Sequence, residues 1–175
     1  MIYYKSNELS NKLNINLSKW KRWSRDFLPP DPLGGLQSGV ARQFNLKDAF
    51  KVYFGGYLVG ELKLTIPDAV QVVSDLYSWM KKNGFYNLQP QVKKEENGDY
   101  PRAYFYLHSC SKGHFVYTIR TIMAHTQSGT EPCYQETFTL THIGTETDPL
   151  ISGQSPSAYI IAISTLYQNF LRLIA

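Results

Sequence analysis

The sequence contains few cysteines and no long hydrophobic run. Two cysteines in 175 residues, Cys110 and Cys133, are too few for a disulfide framework, so we expect free thiols in a reducing compartment. No run of about eighteen apolar residues is present to span a bilayer. No signal-like apolar segment opens the chain. These absences argue against a disulfide-stapled secreted domain and a membrane protein, and we expect a cytoplasmic location.

The sequence also lacks the usual catalytic and cofactor motifs. Neither glycine pair, Gly34-Gly35 or Gly55-Gly56, has the Lys-Ser/Thr or the strand–helix setting of a phosphate-cradling loop. Glu95-Glu96 lies in a charged segment with two lysines, which is a poor setting for acid–base chemistry. No acid is evident that would orient a cysteine–histidine pair. We therefore predict no enzyme activity, no catalytic residue and no cofactor.

The cysteines and histidines raise the question of a metal site. Cys110 and His114 bracket a turn, and the remaining candidates lie in the same half of the chain: His108, His125, Cys133 and His142. Mixed sulfur and nitrogen ligands suit zinc, but this spacing matches no common zinc pattern. We predict no metal, and Cys110, His114 and Cys133 are the residues that a metal would use.

Positive charge is concentrated in the first half of the chain. Residues 1–86 hold 12 Lys and Arg against 7 Asp and Glu, whereas residues 87–175 hold 6 against 7. Residues 1–25 alone hold 6 against 1. This distribution is typical of a module that neutralises phosphates and releases their counterions.

A basic amphipathic helix is predicted over residues 16–25. Asn16 can cap it, because its side-chain oxygen can accept from unpaired N–H groups of the first turn. On a period of 3.6 residues, one face collects large apolar side chains: Leu17, Trp20, Trp23 and Phe27. The opposite face collects polar and cationic side chains: Ser18, Lys19, Arg22 and Arg25. The first face suits a core and the second an anionic partner, with an ordinary solvated face as the alternative.

The segments on either side of this helix predict a winged helix-turn-helix. A first helix capped by Ser6 would bury Leu9 and Leu13, and Asn14 supplies a turn residue that tolerates left-handed backbone. After the basic helix, prolines end the helical structure and a β-hairpin wing is predicted over about 29–44. In such a pair of helices the second enters the major groove.

Two further helices complete the predicted first domain. One starts near Asn45, and its Gly55-Gly56 pair indicates either close packing or a break. The other covers 66–85, with Pro67 and Asp68 favourable in its first turn. We place the domain boundary just after it, giving domains at 1–86 and 87–175.

The second domain changes to the period of β-strands. Three alternating segments predict an antiparallel sheet: RAYFYLHSC, HFVYTIRTIMA and YQETFTLTHI. A last helix is predicted to start at Ser155 or Ser157. Its spacing predicts the seam of a helix pair, and we assign it to dimerisation: Ile160, Ile163, Tyr167, Phe170 and Ile174. The tyrosines of this half either line a ligand pocket or cover a subunit interface, and we favour the interface.

The order of these elements resembles the MerR-type winged helix-turn-helix of bacterial transcription regulators. WKRW at 20–23 stands where that family often has Leu-Arg-Tyr-Trp, LPP at 28–30 matches Leu-Pro-Pro, and RQF at 42–44 stands at the Arg-x-Tyr end of the wing. Lys21 takes the place of the arginine and Arg22 that of the tyrosine, so a phosphate contact is retained.

This resemblance covers roughly residues 2–80, and the segment 58–73 is similar to the family's loop and fourth helix. The predicted fold class is α+β: a MerR-like winged helix-turn-helix, then a small antiparallel sheet and a C-terminal amphipathic helix. The predicted function is sequence-specific binding of double-stranded DNA by a homodimeric transcription regulator, with no membrane partner. A small-molecule effector is left open, without support from the sequence.

Each DNA-binding residue receives a predicted role. Phosphate contacts are assigned to four cations: Lys19, Lys21, Arg25 and Arg42. Base edges are assigned to Ser18 and Arg22 at the exposed helix face. The alternative function is a protein-interaction or architectural adaptor whose N-terminal module has kept a DNA-binding shape.

Overall fold

A computed structural model describes five stretches of the chain: residues 3–31, 42–87, 102–111, 113–127 and 133–175. Of the strand residues 123–127 and 133–138, only the backbone is described. The chain divides into two compact units, which we call the first unit (Met1–Gln91 with Asn169–Ala175) and the second unit (Val92–Gln168). The predicted boundary at residues 86 and 87 stays a prediction, since the residues that follow lie outside the described stretches.

The first unit opens with a two-residue strand, β1 (Tyr4–Lys5), and a short helix, α1 (Ser6–Lys12). The predicted cap at Ser6 is wrong, because Ser6 is the first helical residue and Lys5 occupies the cap position. The backbone N–H of Lys5 donates to Glu8 Oε2 at 3.4 Å, so the glutamate satisfies this end of the helix.

A four-residue turn joins α1 to the next helix, α2 (Leu17–Phe27). Asn14 has a φ of 52°, the left-handed backbone that the sequence predicted for it. Ser10 Oγ donates to the carbonyl of Ile15 at 2.7 Å and closes the turn. Leu9 and Leu13 are buried, as predicted for the inner face of α1.

A second short strand, β2 (Gln43–Phe44), pairs antiparallel with β1, and Phe44 lies opposite Tyr4. Asn45 then caps α3 (Leu46–Gly60), accepting from the Asp48 N–H at 2.8 Å. The wing predicted over 29–44 falls largely on residues 32–41, which lie outside the described residues.

The segment predicted as one helix over 66–85 forms two helices, α4 (Ile66–Asp75) and α5 (Tyr77–Lys82). Thr65 caps α4, and Pro67 and Asp68 lie in its first turn as predicted. The ring of Tyr77 stacks on that of Tyr86 at 5.2 Å. Helical periodicity in the sequence does not predict this contact between the two rings.

The core of the first unit is aromatic. Trp20 is fully buried, and its ring meets Phe44 edge-on at 5.6 Å, so α2 is fixed to the β1–β2 pair. Each fully buried aromatic or aliphatic side chain contributes about 1.5–3 kcal/mol relative to exposure. Further fully buried members come from α3, α4 and α5, among them Phe50, Phe54, Leu58, Val72 and Met80.

The Gly55-Gly56 pair is a packing surface, and α3 continues through it to Gly60. A Cβ built on Gly55 would lie 2.6 Å from the ring of Phe27, and one built on Gly56 would overlap the ring of Trp23. Any larger residue would therefore push α2 away from α3. The sequence allowed either a helix break or close packing at this pair, and the structure shows close packing.

The last residues of the chain complete the first unit. Phe170 is fully buried there, with its ring 5.2 Å from that of Phe50 and 5.3 Å from that of Tyr53. Lys12 Nζ donates to the carbonyl oxygens of Ile174 at 2.8 Å and Ala175 at 3.1 Å. A lysine of α1 thereby satisfies acceptors at the end of the C-terminal helix.

The second unit is built on one antiparallel sheet. Its strands are β3 (Arg102–Ser111), β4 (His114–Gln127), β5 (Cys133–Ile143) and β6 (Tyr159–Ile161), in the order β5-β4-β3-β6. The three long strands were predicted. The turn between β3 and β4 includes Gly113 at φ 73°, where a glycine avoids steric strain.

The fourth strand corrects the prediction for the C-terminus. Residues 159–161 pair with β3, and the helix α6 (Ile163–Ile174) begins only afterwards. Ile160 therefore lies on a strand and is 58% exposed. Ile163, Phe170 and Ile174 are buried within the chain, so their heptad-like spacing reflects internal packing. Homodimerisation itself stays a prediction.

The observed architecture is mixed helix and sheet, with six helices and two antiparallel sheets in the described stretches. This agrees with the α+β class at that level of detail. Each helix described is too short or too polar to span a lipid bilayer.

Candidate nucleic-acid interface

The helix α2 is fixed at its start by a side-chain cap. Asn16 Oδ1 accepts from the backbone N–H groups of Ser18 at 2.9 Å and Lys19 at 3.4 Å. Two of the unpaired donors of the first turn are thereby satisfied, as the sequence predicted. The helix ends at Phe27, ahead of Pro29 and Pro30.

The two faces of α2 differ in burial as predicted. Trp20 and Phe27 are buried, and Trp23 is partly buried against Gly56. The polar and cationic side chains are exposed: Ser18, Lys19, Lys21, Arg22 and Arg25. The large apolar side chains therefore hold the helix in place while the charged face meets solvent.

A groove of about 850 Å³ runs along one side of α2. Leu17, Lys21, Ser24 and Arg25 form its α2 wall. The remaining lining comes from β1, the start of α1, the segment after α2, and β2 with the residue before it: Lys5, Ser6, Asn7, Leu28, Pro29, Pro30, Asp31, Arg42 and Phe44. Four cations and one described acid share this groove.

Arg42 is held in a fixed position at the groove. Its Nη2 donates to the carbonyl of Pro29 at 2.9 Å, and its guanidinium carbon lies 5.7 Å from the centroid of the Phe44 ring. An arginine fixed by a carbonyl and an aromatic face loses less side-chain freedom when it binds an anion, and it keeps further N–H donors.

Arg22 lies at the centre of the exposed face and is only weakly tied to the protein. Its Nε is 4.0 Å from Asp26 Oδ2, at i and i+4, and its side chain is 68% exposed. An ion pair of this exposure contributes about 0–1 kcal/mol. The guanidinium is therefore free to exchange this contact for one with a ligand.

The structure brings three of the six predicted DNA-binding residues together in the groove: Lys21, Arg25 and Arg42. Ser18 and Arg22 lie on the outward face, one helical turn apart. Lys19 is about 200° around the helix from Lys21 and so faces the other side. These roles stay predictions.

Lys5 is a groove residue that sequence reasoning missed. It lies in β1, whose pairing with β2 brings it to the same groove as Arg42. The signal available in the sequence was a lysine directly before the first helix. Its proximity to the groove depends on a two-residue ladder that is too short to recognise from a pattern.

The second unit carries a smaller polar site. His108 Nε2 lies 3.3 Å from Thr118 Oγ1, which lies 3.2 Å from His142 Nδ1. A cavity of about 270 Å³ adjoins this chain of contacts, with Arg120 and Asp148 also in its lining. Burial is the main cause that lowers the pKa of His108, while Asp148 opposes the shift and His142 adds to it.

The metal candidates do not converge in the described stretches. No three histidine, cysteine, aspartate or glutamate side chains come together there in a way that could hold an ion. The side chains of His125 and Cys133 lie outside the described residues.

Comparison with protein-family models, with curated proteins and with solved structures finds no match to this chain. The interpretation of function therefore depends on the geometry of the site.

Proposed function

We propose that the protein is a sequence-specific DNA-binding transcription regulator of the MerR-like winged helix-turn-helix class. In this proposal α1, the turn at Asn14 and α2 form the helix-turn-helix, and residues 29–44 form the wing. One observation carries the proposal: four cations line a single groove beside the exposed face of α2, namely Lys5, Lys21, Arg25 and Arg42. Such a concentration of positive charge favours a polyanionic partner.

Size is compatible with this partner. The eleven residues of α2 span about 16 Å at 1.5 Å per residue, and a helix about 10–12 Å across fits a major groove about 12 Å wide. With its apolar face packed on α3, the helix presents Ser18 and Arg22 outward. A guanidinium at this position can donate two hydrogen bonds to O6 and N7 of a guanine.

In this proposal the cations of the groove bind the phosphate backbone of the DNA. Lys21, Arg25 and Arg42 neutralise phosphates on one side of α2, and Lys19 reaches phosphates on the other side. Lys5 adds a further phosphate contact from β1. The fixed guanidinium of Arg42 suits bidentate binding of a phosphate.

The proposed assembly is a homodimer, with the second unit acting in dimerisation or sensing. A two-fold dimer would place two copies of α2 about 34 Å apart and would select a near-palindromic site. A cytoplasmic location belongs to the same proposal.

Two substitutions test the assignment of roles, after a preferred duplex has been selected from a random pool. Arg22→Ala should cost about 1–3 kcal/mol on the selected duplex and relax the base preference at one position. Lys21→Ala should weaken selected and random duplexes alike and flatten the salt dependence by about one phosphate. Fluorescence anisotropy measures both effects.

The proposal predicts that Arg22→Ala changes the sequence preference of binding, whereas Lys21→Ala changes the affinity for every duplex. Circular dichroism of each variant controls for folding, and both side chains are exposed, so no unfolding is expected. If both variants bind selected and random duplexes as the wild type does, α2 does not read DNA.

A second candidate is supported by the apolar part of the same groove. Leu17, Leu28, Pro29, Pro30 and Phe44 lie among its lining residues, with the cations around them. An apolar peptide with acidic flanks would fit such a surface, which corresponds to a protein-interaction adaptor.

The dependence of binding on salt concentration distinguishes the two candidate functions. Binding of duplex DNA should fall steeply between low and moderate salt, because the release of counterions from the DNA becomes less favourable as the salt concentration rises. Binding of an apolar peptide with a few acidic flanking residues should weaken only modestly over that range, because its apolar contacts are not screened and it carries no layer of condensed counterions to release. A groove that retains a protein partner at high salt and fails to bind DNA at low salt would favour the adaptor.

A further inference from the structure

A second cluster of lysines lies in the first unit, away from the groove beside α2. Lys47 and Lys51 are one turn apart on α3, and their Nζ atoms lie 5.5 Å and 5.7 Å from the centroid of the Tyr77 ring. Lys81 lies one turn after Tyr77 on α5. We call Lys47, Lys51, Lys81 and Tyr77 the tyrosine cluster.

The ammonium groups of the tyrosine cluster repel one another. Lysines at i and i+4 destabilise an isolated helix by about 0.2–0.5 kcal/mol, and Lys81 adds a third like charge. In the described part of the chain, no carboxylate lies within 4.0 Å of any of the three Nζ atoms. Among the described residues, the repulsion is therefore not offset by an ion pair.

Tyr77 is the side chain that two lysines of the cluster contact. A hydrogen bond with Lys47 is the main cause that lowers the pKa of the phenol, and the charges of all three lysines act in the same direction. The face of the ring attracts Lys47 and Lys51. These contacts hold the ammonium groups in place, which lowers the entropy lost when they bind an anion.

A hollow of about 360 Å³ adjoins the tyrosine cluster. Its lining includes Lys51 and Tyr77 together with the hydroxyl-bearing Ser74. The apolar lining residues are Phe27, Val70 and Val73. A cation and two hydroxyls beside an apolar surface suit a phosphate ester whose sugar lies against carbon atoms.

We propose that the tyrosine cluster is a second binding site for the backbone phosphates of duplex DNA, extending the contact made by α2. This inference rests on the proposed function. Phe27, the last residue of α2, also lines the hollow, so the site adjoins the end of the DNA-reading helix within the same unit. The three lysines offer donors only, which excludes base edges that require an acceptor and suits phosphate oxygens.

The test compares three single substitutions that remove the same charge. Lys47→Gln and Lys51→Gln remove a cluster lysine, whereas Lys82→Gln removes an exposed α5 lysine that does not contact Tyr77. Affinity for a selected and a random duplex is measured against salt for each variant. Hydroxyl-radical footprinting of the duplex then locates the protected backbone.

We expect Lys47→Gln and Lys51→Gln each to weaken both duplexes by the same factor, up to about fivefold. Each should reduce the salt slope by about 0.9 and remove protection at the edge of the footprint, whereas Lys82→Gln leaves both unchanged. If all three variants match the wild type in slope and footprint, the cluster does not bind DNA.

The outcome separates this inference from the proposed function. A reduced slope in Arg25→Gln together with a wild-type slope in Lys51→Gln keeps the DNA-binding proposal and rejects the second site. Absence of duplex binding by the wild-type protein rejects both.

Discussion

At the scale of single residues, two glycines decide how α2 is held. The sequence showed that Gly55-Gly56 is unusual in a helix, and it allowed either a break or close packing. It could not name the partners, because Phe27 and Trp23 meet these glycines only after α2 folds onto α3. A contact between residues some thirty positions apart leaves no local pattern.

Gly56→Ala should destabilise the first unit. The added methyl would overlap the ring of Trp23, and overpacking of this kind costs about 1–3 kcal/mol. Gly60→Ala is the matched control, because a Cβ at Gly60 meets nothing within 4 Å and alanine gains up to about 1 kcal/mol in helix propensity. All three tryptophans lie in the first unit, so tryptophan fluorescence during urea unfolding measures it selectively. Equal stability of both variants would contradict the packing.

His108 should make the stability of the second unit depend on pH. Burial lowers its pKa in the folded state, whereas the unfolded chain titrates near about 6.5. The folded state therefore binds fewer protons, so this stability is fully present above that pH and is lost as the pH falls below it, through the lower pKa of the folded state. His108→Gln should reduce this loss in urea unfolding followed by far-UV circular dichroism, since the second unit lacks tryptophan. An unchanged pH dependence in the variant would exclude this role.

At the scale of elements, α2 was predictable, whereas the C-terminal segment was predicted only in part: residues 163–174 are helical as expected, and residues 159–161 are not. A capping asparagine and a stripe of large apolar residues specify α2 locally, and its cap and burial follow the prediction. Residues 159–161 were predicted to be helical, because a short apolar run with β-branched residues is compatible with the periodicity of a helix and with that of a strand. These residues form a strand because they pair with β3. That pairing is a long-range contact, which a local sequence pattern does not show.

Asn16→Ala should destabilise α2 by about 1 kcal/mol, because two backbone N–H groups lose their acceptor. Asn16→Ser is the conservative control and should retain most of the stability, since serine also caps helices well. Urea unfolding monitored by the fluorescence of Trp20 and Trp23 measures the difference. Equal losses in both variants would argue against the cap.

At the scale of the whole molecule, the first unit draws on both ends of the chain. Residues 169–175 belong to it, although they are the last in sequence. The sequence showed that Phe170 and Ile174 belong to an apolar stripe, but a stripe does not state what covers it. Covering by the chain itself and covering by a second copy produce the same periodicity.

Phe170→Ala should destabilise the first unit by about 3–5 kcal/mol, because it removes a fully buried ring that packs on Phe50 and Tyr53. Leu173→Ala is the control in the same helix, and since Leu173 is 45% exposed its loss should be much smaller. Tryptophan-monitored unfolding at two protein concentrations gives the measurement. A loss that depends on protein concentration would instead place Phe170 at a subunit interface.

The candidate site was predictable to the extent that one helix determines it. The exposed cations of α2 followed from periodicity, whereas the groove that gathers Lys5 and Arg42 beside them required strand pairing between distant segments. The tyrosine cluster likewise joins α3 to α5 and has no signature within either helix.

The most direct measurement is the affinity of the wild-type protein for its selected duplex as a function of salt. With Lys5, Lys19, Lys21, Arg25 and Arg42 each neutralising a phosphate, log K should fall linearly with log salt, with a slope of about −4.5 or steeper. An affinity that stays constant between low and moderate salt would contradict the claim that this surface binds the DNA backbone.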